Sequence, residues 1–116
     1  MLYDLPKSQK KHARAAIDKG IDKEFETGMK EFAGIIDKWK DKETTNSDAY
    51  HELFKAIRNF DKFIARHYDR ITGGHYFEIV AFLLARKAIT EEDIIAFNDE
   101  IREEIITAAE MFVEKL

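Results

Sequence analysis

The chain has 116 residues, 45% hydrophobic and 36% charged, with a formal net charge of −4 and no cysteine. That length suits one domain over residues 1–116, and the missing cysteine excludes a disulfide framework, a thiolate nucleophile and a cysteine metal site. The acidic balance is not that of a nucleic-acid binder, which is basic over the domain or along one face.

The first four residues, Met1-Leu2-Tyr3-Asp4, lack the basic-then-apolar pattern of a secretory leader. The longest strictly apolar run is Ile79–Ala85. A membrane span needs about 20 such residues. The expectation is a cytoplasmic protein with no membrane partner. Charge is uneven along the chain: residues 1–42 carry +2, residues 43–72 are balanced and residues 73–116 carry −6.

Asp4 and Pro6 suit a helix start. An apolar stripe then runs through Ala13, Ile17, Ile21, Phe25, Met29, Phe32, Ile36 and Trp39 at steps of three and four. Gly20, Gly28 and Gly34 interrupt it. One helix from about Lys7 to Lys42 would be roughly 54 Å long, so a bend or break near Gly20 is expected. The polar stretch 41–47 reads as a loop, with Thr45 or Ser47 capping the next helix. That second helix carries Tyr50, Leu53, Phe54, Ile57, Phe60, Ile64, Tyr68 and Ile71. A left-handed glycine at Gly73-Gly74 is expected to end it.

A third, short helix over about Tyr76–Lys87 is apolar on nearly every side, so it is either central or covered by another chain. Thr90 followed by Glu91, Glu92 and Asp93 reads as the start of a fourth helix running to about Glu114. No segment alternates at period two for long enough to predict a strand. The fold class is therefore all-α: an antiparallel bundle of four helices, or five if the first breaks. Up-down-up-down order would put the basic start (Lys7, Lys10, Lys11, Arg14) beside the acidic end of the last helix.

No metal or other cofactor is expected. None of the four histidines has a glutamate three residues before it, as paired-carboxylate di-iron bundles require. The densest group of polar chemistry is the segment 66–78, with Arg66, His67, Asp69, Arg70, His75 and Tyr76 around one turn. Its plain reading is a helix end, with arginines near the last carbonyls. The spacing Arg70-x4-His75 also resembles the signature of HEPN domains, all-α ribonuclease or nucleotide-binding modules. That resemblance implies metal-independent cleavage, with His75 as acid–base group, Arg70 stabilising phosphate charge, and two sites facing each other in a dimer. Arg66, His67, Asp69 and Tyr76 would be the accompanying binding residues.

The leading expectation is different: a helical interaction module rather than an enzyme, associating with itself or with a protein partner. It comes from surplus apolar surface. The third helix is apolar all round, and the second and fourth carry extra stripes (Ala56, Phe60 and Phe63 on the second). A small bundle buries one stripe per helix, and surface left over makes a binding patch.

Overall fold

The computed structural model describes residues 4–69 and 71–115. Among these the chain is all α-helical, with α1 Lys7–Lys40, α2 Asn46–Tyr68, α3 Tyr76–Ala85 and α4 Asp99–Val113. Two 3-10 turns, Gly73–His75 and Glu91–Ile94, precede α3 and α4. No helix among the described residues is long and apolar enough to cross a membrane.

The chain resolves into two compact units, with α1 contributing to both. The first unit takes α1 as far as Lys23 together with α3, α4 and their connections. Its core is α3, which has no exposed residue from Tyr76 to Ala85. Val80, Ala81 and Leu83 are wholly buried, as are Ala13 of α1, Ile94 of the 3-10 turn and Ile105 of α4. The all-round apolarity of α3 is thus explained by a central position. Phe82 meets Phe112 of α4 edge-on, ring centroids 5.7 Å apart.

Of the bend or break expected near Gly20, the break is not found: α1 is helical throughout. A Cβ there would lie 2.7 Å from Leu83 Cδ1 and 3.1 Å from Ile89 Cγ2. Gly20 lets α3 approach closely, and helix continuity follows from that packing rather than from propensity.

The expected glycine stop after α2 also differs. The helix ends at Tyr68, Gly73 and Gly74 belong to a 3-10 turn, and no glycine has a positive φ. The left-handed positions are instead Lys42, φ 61°, and Lys87, φ 64°. Both complete the same helix stop. Lys42 N–H donates to Trp39 O and Glu43 N–H to Lys38 O; Lys87 N–H donates to Leu84 O and Ala88 N–H to Leu83 O. These are the paired bonds of a Schellman motif, with lysine where glycine is usual.

The expected fourth helix is split. Thr90 N–H donates to Asp93 Oδ2 at 2.8 Å, but this cap starts only the 3-10 turn. Asn98 restarts the chain, its side chain accepting from Ile101 N–H at 2.9 Å. Arg102 Nη1 ties the corner by donating to Phe97 O at 3.2 Å. The restart changes what α1 meets. Asn98 N–H donates to Gln9 Oε1 at 2.9 Å, and His12 packs on Phe97 at 5.8 Å. The start of α1 therefore lies beside the start of α4, not its acidic end. Lys10 pairs with Asp4 at 3.2 Å.

The second unit, residues 24–69, is an antiparallel helical hairpin of the rest of α1 and α2. Trp39 Nε1 donates to Asn46 Oδ1 at the loop end, 2.7 Å. Tyr68 Oη donates to Glu24 Oε2 at the open end, 2.8 Å. Between them Phe60 meets Phe25 and Phe32 edge-on, at 5.4 and 5.8 Å. Gly28 makes this contact possible, since a Cβ there would sit 2.7 Å from Phe60 Cε1. Thr45 caps α2, accepting from Asp48 N–H at 3.1 Å.

Candidate protein interface

Two helices cannot surround one another, so each side chain of the hairpin faces either the seam or the outside. On α2 the seam is Ala49, Leu53, Ala56, Phe60 and Phe63, buried or half-buried. These follow the 4-3 spacing that keeps one stripe against a neighbouring helix. One residue further round runs Tyr50, Phe54 and Ile57, all exposed. On α1 the seam holds Glu24, Gly28 and Ile35, all buried. Its exposed neighbours are Phe25, Met29, Ile36 and Trp39.

The two exposed stripes lie on the same side. At 100° per residue, both are turned the same way from their seams, by roughly 60–120° for most of their residues. In antiparallel helices, equal turns place both stripes on one face. The geometry at the loop end agrees: Ile36 and Trp39 of α1 line one apolar groove with Tyr50 and Leu53 of α2, about 380 Å³ in volume. Tyr50 stacks on Phe54, ring centroids 6.4 Å apart.

Met29 and Tyr50 are each 63% exposed and Phe54 55%. Large apolar side chains present about 150–250 Å² each, so the seven exposed fractions amount to roughly 700 Å². Soluble chains rarely leave more than a few hundred Å² of apolar patch in water without a binding role.

The extra stripe expected on α2, Ala56, Phe60 and Phe63, proves to be the seam. The exposed stripe is made of residues that the periodicity assigns to the core. Helical spacing gives the relative phase of two stripes, but not which of them faces inward.

The polar segment 66–78 is divided between the two units. Arg66 is exposed in the last turn of α2, and Asp69 caps that helix, its N–H donating to Ala65 O at 3.3 Å. His67 is half-buried, its ring 4.7 Å from Phe63 and 6.1 Å from Tyr68. In the other unit, exposed His75 closes the 3-10 turn, with 2.8 Å between its Nδ1 and Thr72 Oγ1. Tyr76, half-buried, opens α3. Arg70 lies outside the described residues.

Sequence reasoning missed Glu24, a charged group only 4% exposed that accepts the Tyr68 hydroxyl. Its place one turn before Gly28, on the seam side of the stripe, was the available signal. Among the described residues no group of three or more His, Asp or Glu side chains is placed to hold a metal. Asp93 is held below the usual carboxylate range, first by its hydrogen bond from Lys19 and then by Thr90 N–H. No family model, curated protein or solved structure matches the chain.

Proposed function

We propose that this chain is a self-associating helical module, and that the aromatic face of the hairpin is covered by a second copy. The observation that carries the reading is the size and make-up of that face. Its roughly 700 Å² approaches the 800 Å² or so that each partner contributes to a stable interface. Aromatic and Met side chains dominate it, as they dominate interface centres. A two-helix hairpin that lends such a face to its own copy completes a four-helix bundle, in which each helix packs against two neighbours. A face with so little charge offers nothing to select a charged partner, whereas it is complementary to itself.

Phe54→Glu places a charge at its centre. In sizing chromatography the native protein is expected to run as a dimer and Phe54→Glu as a monomer, with circular dichroism showing the same helix content for both. A native protein that is already monomeric at high micromolar concentration contradicts the reading.

One observation favours a second reading, ribonuclease chemistry through Arg70 and His75. Thr72 fixes the His75 ring at Nδ1 and leaves the ring exposed, as an acid–base group requires. RNA cleavage abolished by His75→Ala in a folded protein supports it, and cleavage unaffected by that substitution ends it.

A further inference from the structure

A face that binds its own copy can do so in two ways that satisfy two-fold symmetry and keep neighbouring helices antiparallel. With the axis along the helices, both loops lie at one end and α1 packs on the partner's α2. With the axis across the helices, the loops point to opposite ends, α1 packs on the partner's α1 and α2 on the partner's α2. Resting on the self-association proposed above, we infer that the axis runs across the helices.

The first argument is the symmetry of the stripes. Midway between the two cross-hairpin hydrogen bonds, Glu24–Tyr68 and Trp39–Asn46, lie Phe32 and Ile57. Phe25 and Trp39 are each seven residues from Phe32, and Tyr50 and Ile64 are each seven from Ile57. A crosswise axis through this level sets Phe25 against the partner's Trp39, Tyr50 against the partner's Ile64, and Ile57 against its own copy. Seven residues are two helical turns, so each pair meets in phase.

The second argument is shape. The groove of Ile36, Trp39, Tyr50 and Leu53 is at the loop end, and Phe25, 46% exposed and edge-on to Phe60, is at the open end. The crosswise axis brings the exposed part of that ring to the partner's groove. The lengthwise axis sets groove against groove and leaves both unfilled, which forfeits the packing that interface centres require.

The absence of native cysteine makes the test direct. Helices in contact are about 8–10 Å apart, and a disulfide needs Cα atoms within about 7 Å. Under mild oxidation, Ile57→Cys is expected to give the disulfide-linked dimer as its main product. An equimolar mixture of Phe25→Cys and Trp39→Cys proteins is expected to give the mixed dimer, which serves if Ile57→Cys folds poorly. A protein that is dimeric by sizing but cross-links only between Ile36→Cys and Phe54→Cys, or at none of these positions, overturns the crosswise packing and leaves self-association standing. A monomeric native protein overturns both.

Discussion

Lys42 and Lys87 hold left-handed backbone that costs an ordinary side chain about 1–2 kcal/mol and glycine almost nothing. Lys87→Gly removes that strain at the end of α3. Part of the gain is offset by glycine's greater freedom when unfolded. The expected result is a stabilisation of about 0.5–1 kcal/mol in urea unfolding, with the same sign for Lys42→Gly. The three glycines of α1 invite the converse test. A Cβ added at Gly34 would meet no atom within 4 Å, so Gly34→Ala is expected to stabilise by about 1 kcal/mol. Gly20→Ala drives a methyl into Leu83, which has 0% exposure and no room to yield. Overpacking of about 1–3 kcal/mol then outweighs the helix-propensity gain, and thermal melts of the two variants should shift in opposite directions. Asp93 adds a pH signature. Its carboxyl titrates below its ordinary range in the native state because Lys19 and Thr90 bond the charged form. A depressed native pKa contributes stability that is present above the unfolded value of about 3.9 and is lost as pH falls below it. Asp93→Asn should therefore lower the melting temperature at pH 7, with the difference from the native protein shrinking below about pH 4.

At the scale of elements, the seam of the hairpin holds a buried polar contact, Tyr68 to Glu24, beside its aromatic rings. Tyr68→Phe leaves Glu24 without that donor in a site only 4% exposed. A cost of about 1–2 kcal/mol in denaturant unfolding is expected, because burying a less satisfied charged acceptor exceeds the net value of an ordinary hydrogen bond. The helices themselves were largely legible in the sequence: the stripe from Ala13 to Trp39 is α1, Thr45 caps α2, and the apolar run after His75 is α3. What was not legible was decided by tertiary contact. Gly20 looks like a breaker until Leu83 is seen against it. Gly73-Gly74 looks like a stop, but the stops with left-handed backbone fall on lysines, whose Schellman bonds any residue can make at a cost in strain. Thr90 and the three acids after it carry a true start signal, yet the turn they start is four residues long. Buried Ile94 and Phe97 take the chain round a corner to the second cap at Asn98. Of the candidate site, surplus apolar surface was foreseeable from the number of stripes. Its location was not, because two stripes of similar composition on α2 differ only in which one meets α1.

For the whole molecule, the distribution of apolar surface is the fact that a function must explain. The first unit leaves no residue of α3 exposed, though Ile95, Met111 and Val113 elsewhere in it are, while the hairpin keeps Phe25, Met29, Trp39, Tyr50 and Phe54 in contact with water. Association through that face removes the imbalance, and the same face gives the module something to recognise. The most direct measurement is the absolute mass in solution by light scattering behind a sizing column, repeated over a range of concentrations. Self-association predicts about 27 kDa, twice the 13.6 kDa chain, falling to the single-chain mass in Phe54→Glu. A mass of 13.6 kDa for the native protein at every concentration would contradict it.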